Sequence, residues 1–107
     1  MIAVNDVGKY MAWAFENGDE LNGRAIDVAG DAKTGLEMAE VIGTAAGRKI
    51  GYFQVPIAEV RKFSDDFAAM LEWFDAVGYD ADIEARSKES GIKPTSFEVW
   101  ASAAYWK

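Results

Sequence analysis

The sequence predicts an α/β domain rich in helix: one βαβ unit with two short parallel strands, plus four or so further helices. Three observations predict it. Residues 25–29 are a short β-prone run closed by Gly30, and residues 50–55 are a second, stopped by Pro56. Between them Thr34, with Glu37 three residues on, makes a capping box, and a helical pattern follows as far as Gly47. Two strands joined by one helix of this length lie parallel, with a right-handed crossover. The whole chain, residues 1–107, is expected to form a single domain with little core to spare.

The elements follow in order. Residues 1–4 (MIAV) are apolar and β-prone. Asn5 or Asp6 caps a first helix through about Asn17, with Val7, Tyr10, Met11, Ala14 and Phe15 at helical spacing. Gly18 stops it, and Asn22-Gly23 turns the chain into the first strand. In the central helix Met38, Ala39, Ile42, Ala45 and Ala46 form the stripe to be buried. Pro56 fits the first turn of a long helix reaching about Val77, in which Val60, Phe63, Phe67, Met70, Leu71 and Phe74 recur every three or four positions. Trp73 and Ala69 widen that face, so more than one surface of this helix needs cover. Gly78 ends it. Asp80 caps a more polar helix stopped by Gly91, and Thr95 or Ser96 opens the last one, with Thr95 and Glu98 as a second capping box.

Charge and composition exclude several function classes. A net charge of −7, from 18 acidic and 11 basic residues, argues against nucleic acid or an anionic membrane as partner, since both need clustered Lys and Arg. No apolar run is long enough to span a membrane. With no Cys there is neither disulfide nor thiolate chemistry, which is compatible with a cytoplasmic location. With no His the commonest general base and metal ligand is gone, which argues against a self-sufficient hydrolase. Four Trp, four Tyr and six Phe require either an aromatic-rich core or an interface.

The motifs that suggest chemistry fall short of it. Gly30 and Gly35 have the spacing of a phosphate loop between strand and helix, but Leu36 and Glu37 stand where Lys and Ser/Thr are required. Asp80, Asp82 and Glu84 alternate as in a calcium loop, without the turn glycine and with Gly91 in place of the closing acid. Asp65, Asp66, Glu72 and Asp75 read as a solvated face paired with Arg61 and Lys62. No catalytic, cofactor-binding or metal-binding residue is assigned. The carboxyl ends of parallel strands are where such folds hold ligands, which points to Phe53, Gln54 and Pro56, with Phe63 and Phe67 nearby.

Six segments occur in a telling order: Asp6-Val7-Gly8, then NGRAIDVAGD from Asn22, then Thr34, Glu37 and Ala39. After them come GRKIGYFQVP from Gly47, GYDADIE from Gly78 and PTSFEVW from Pro94. Together they resemble the C-terminal half of NmrA-like proteins, a branch of the atypical short-chain dehydrogenase/reductases. The resemblance implies that a Rossmann domain carrying the NAD(P) loop precedes this part in full-length relatives, and that this chain itself holds no cofactor. It implies that Asp6 and the segment Phe53–Pro56 face the cleft between the halves. Met1 falls where relatives have an apolar strand residue, which implies a truncated product or a fragment.

The expected function is therefore a non-catalytic substrate- or partner-binding domain, in a family that includes redox sensors. The alternative is one half of an NAD(P)-dependent oxidoreductase site, completed by a separate Rossmann chain. The expected partners are a second copy of the chain or a Rossmann-domain chain, with a small apolar ligand in the cleft. Surfaces that relatives cover are expected to drive self-association, so light scattering at micromolar concentration should report a mass above the 11.7 kDa of one chain.

Overall fold

Local sequence signals fix most helix ends in the computed structural model, which describes residues 1–106. The element order is α1 (Val4–Glu16), α2 (Gly18–Leu21), α3 (Gly35–Ala46), α4 (Ile57–Phe63), α5 (Asp65–Ala76), α6 (Ile83–Ser90) and α7 (Phe97–Ala103). Helix accounts for 59% of the chain, and the described residues contain no strand. The expected βαβ unit is thus corrected to an all-helical arrangement. Residues 25–29 and 50–55 belong to no helix or strand and do not pair as a ladder. A lone parallel pair is too weak to persist, because parallel sheets need cover on both faces and company from further strands. Other partners take up parts of these segments instead. Arg86 Nε donates to the Asp27 carbonyl at 3.2 Å, and the Gly30 and Asp31 N–H groups donate to the Met1 carbonyl.

Helix α3 starts as its sequence dictates. The Thr34 hydroxyl accepts from the Glu37 N–H at 3.2 Å while Glu37 accepts from the Thr34 N–H at 2.7 Å. Its C-terminal cap is Gly47 at φ 67°, a left-handed conformation that costs a residue with a Cβ about 1–2 kcal/mol. The predicted inner stripe of α3 is buried at Ala39 and half-buried at Met38, Ile42, Ala45 and Ala46. Helix α7 packs against α3, with Ala101 fully buried and a Lys33–Glu98 ion pair at 2.6 Å beside the contact. Small residues allow helix axes to approach closely.

Three helix starts and one helix face differ from expectation. Helix α1 begins at Val4 behind Ala3, not behind Asn5 or Asp6. The long helix proposed over Pro56–Val77 is two helices, broken at Ser64. That residue is extended (φ −160°, ψ 121°), and its hydroxyl accepts from the Phe67 N–H at 3.1 Å. A serine side chain competes with the helix backbone for such donors, which periodicity alone does not reveal. Asp82, rather than Asp80, caps α6. Ser96, one of the two expected caps, opens α7, although the Thr95–Glu98 capping box does not form. Helix α1 turns Asp6, Tyr10 and Trp13 inward, leaving Val7, Met11, Ala14 and Phe15 exposed.

The result is a thin molecule. It measures 47 × 36 × 20 Å, with a radius of gyration of 16.9 Å, against about 13 Å for a compact chain of this length. Its accessible surface is 8207 Å². A folded monomer of this mass exposes about 5,900 Å², so about 2,300 Å² is left uncovered. Replacing Ser64 by Ala removes the cap that separates α4 from α5. It should lower stability by about 1 kcal/mol, read as an earlier urea midpoint.

Candidate functional site

An open groove of about 620 Å³ lies between residues 52–55 and the pair α4–α5. Its floor is apolar: Ile57 and Val60 from α4, and Phe67, Leu71 and Phe74 from α5. Those α5 residues recur at steps of four and three, so they form one ridge along the helix. Arg61 clasps the two helices together, reaching Glu72 at 2.6 Å and Asp65 at 3.6 Å. Glu72 and Asp75 stand one turn apart on the rim. Tyr52 closes one end, its ring lying against Gly35 at the start of α3, where a Cβ would collide with it.

Of the residues predicted from the sequence, the groove gathers Phe53, Gln54 and Phe67. Phe53 is 79% exposed and Phe67 49%, far from the burial such rings reach in a core. Pro56 caps α4 beside the groove without lining it. Phe63 ends α4 and points outward at 89% exposure. Sequence periodicity did not signal Val60 and Leu71 as groove residues, because the same spacing serves an ordinary core.

Asp6 lies apart from this groove and is the one fully buried acidic side chain among the described residues. The Thr95 N–H donates to its Oδ2 at 2.6 Å and the Thr95 hydroxyl to its Oδ1 at 3.0 Å, with Lys9 Nζ at 3.4 Å. Burial alone would push this carboxyl up, but the Thr95 and Lys9 donors outweigh it and hold it below its ordinary value. Asp31 is arranged alike. It accepts from the Phe97 N–H at 2.7 Å and the Ala32 N–H at 2.8 Å, and is also held low against its own desolvation. The two carboxylates thus flank the start of α7. A smaller cavity of about 240 Å³, lined by residues 1–4, Asp31, Thr95, Ser96, Phe97 and Trp100, lies beside them. Thr95 was read as a capping residue. Nothing in its local sequence could reveal a partner 89 positions away.

Other chemistry finds no support in the geometry. No group of three or more metal-ligating side chains occurs among the described residues. Asp65 and Glu72 both engage Arg61, and Asp82 is occupied as a cap. No described helix is long and apolar enough to cross a membrane.

The described residues thus form a small helical arrangement with an open, largely apolar groove over α4–α5. The NmrA-like family matches residues 1–101, nearly the whole chain, and the chain belongs to that family. Membership points to a family of NAD(P)-binding proteins. No curated protein and no solved structure is detectably similar to the chain.

The buried clamp sets an acid limit on the fold. Both carboxyls have folded values below the unfolded ones, so the stability they contribute is complete above about pH 4 and is lost as pH falls through the folded values. Asp6→Asn keeps one acceptor and turns an amide N–H toward Thr95, which should destabilise by about 2–3 kcal/mol. Urea midpoints measured from about pH 5 down to pH 2 should fall less steeply in this variant than in the parent chain.

Proposed function

We propose that this chain is a non-catalytic substrate- or partner-binding part of an NmrA-like protein, and that it works by closing over a dinucleotide held by a separate Rossmann part. The observation that carries this reading is the uncovered surface. About 2,300 Å² beyond the norm is what one side of an obligate interface buries, and more than an ordinary monomer leaves open. It is also unevenly placed. Of the nineteen large apolar residues exposed among the described residues, ten lie between Tyr52 and Tyr79, on the groove and its two helices.

The segment before α4 supports the same reading. Residues 51–55 are exposed, and their backbone groups make no backbone hydrogen bond among the described residues, which leaves them open to pairing with another chain. Phe53, Gln54 and Phe67 would then form the apolar wall of the cleft, with Pro56 and Phe63 at its margin. Asp6 enters indirectly, by fixing α1 and α7 in place. In the absence of the Rossmann part the exposed apolar faces of α1 (Val7, Met11, Phe15) and α7 (Val99, Trp100), away from the groove, drive self-association.

Two measurements test this. Titrated with NADH, the chain alone should show no saturable change in nicotinamide fluorescence. Co-expressed with the Rossmann part of an NmrA-like protein, it should co-purify in equal amounts, and that complex should bind NADH. Stoichiometric binding by the isolated chain would overturn the reading, as would failure of the two parts to associate.

A further inference from the structure

We propose that the groove over α4–α5 receives a cationic amphipathic helix from a partner protein, its apolar stripe on the Phe67–Leu71–Phe74 ridge and its basic residues against Glu72 and Asp75. This rests on the reading of the groove as a binding surface and adds the chemistry of what fills it.

Shape argues for a helix. The floor residues come from two helices packed on each other, Ile57 and Val60 from one and Phe67, Leu71 and Phe74 from the other, and they leave a furrow open to solvent. A third helix completes such a pair by laying its own ridge into that furrow, with anchors at i, i+3 or i+4, and i+7. Charge then selects among helices. Among the described residues the charged lining is Glu72 and Asp75, with no basic side chain in the groove. Glu72 shares Arg61 with Asp65, whereas Asp75 takes part in no ion pair among the described residues. On α4 and α5 as a whole Arg61 and Lys62 face Glu59, Asp65, Asp66, Glu72 and Asp75, and the full chain carries −7. A second copy would bring like charge onto like, and an acidic helix would do the same. A helix with Lys or Arg one turn apart beside its apolar stripe meets both acids at their i, i+3 spacing.

The test uses two synthetic helical peptides with the same leucine stripe, one flanked by lysines and the other by glutamates. Each is titrated against the full chain by calorimetry. The lysine peptide should bind with one-to-one stoichiometry, about tenfold or more tighter than the glutamate peptide, and should weaken as salt rises. Asp75→Lys should reduce that preference about tenfold, and Phe67→Ala should weaken the lysine peptide while preserving the preference. Asp19→Lys on α2 changes net charge equally, away from the groove, and should leave binding unchanged. Equal affinity for both peptides would overturn the proposal, as would Asp19→Lys weakening binding as much as Asp75→Lys. If co-purification with the Rossmann part persists while peptide selectivity is missing, this inference alone is lost.

Discussion

Two carboxylates near the start of α7, Asp6 fully buried and Asp31 half-buried, hold together three stretches of chain that otherwise have little reason to meet. Asp6 grips Thr95 by its N–H and hydroxyl, and Asp31 grips the first N–H of α7 at Phe97. Through them α1, the loop before α3 and the last helix share one junction. A helix N-terminus has unpaired N–H groups and a partial positive charge, so an acidic side chain there is worth more than one in open solvent. With Asp6 fully buried, an unpaired carboxylate would be costly, which makes the junction close to all-or-none. The same junction sets where α7 starts, and α7 packs on α3 with Ala101 and Ala39 buried.

Elsewhere the molecule is held by pairs rather than by a common core. α4 rests on α5 and α3 on α7, while α6 is tied in through polar groups: Arg24 to Glu89 at 2.8 Å, and Arg86 to the Asp27 carbonyl. Exposed ion pairs of this kind contribute about 1 kcal/mol at most. Few apolar side chains are fully buried: Tyr10, Leu21, Ala39, Ala68 and Ala101. Two of the larger ring systems, at Trp73 and Tyr79, pack on Phe74 and on each other at the surface instead. A fold with so little interior is stable to the extent that something else covers its apolar faces, and the groove over α4–α5 is one of these.

The groove was partly legible in the sequence. The rule that ligands sit beyond the ends of strands pointed to Phe53 and Gln54, and both line it, although the strand that justified the rule is absent. Phe67 was found because an aromatic at helical spacing needs a surface to meet. Phe63 satisfied the same pattern and points away, since the break at Ser64 ends α4 at that residue and resets the face. Asp6 was marked by its place in a motif, and its position is structural: it anchors α7 and does not line the groove.

Some signals that act within one turn of chain determined the outcome on their own. The capping box at Thr34 and Glu37, the glycine stops at Gly47 and Gly91, and the helical character of α1, α3 and α7 are set by groups a few residues apart. Tertiary structure decided whatever depends on the company an element keeps. Residues 25–29 and 50–55 have the composition of strands, but a strand exists only when a neighbour pairs its backbone, and none is in reach. The inward face of α1 was likewise chosen by Thr95, because a carboxylate that finds two donors can be buried where apolar side chains at the same spacing stay outside.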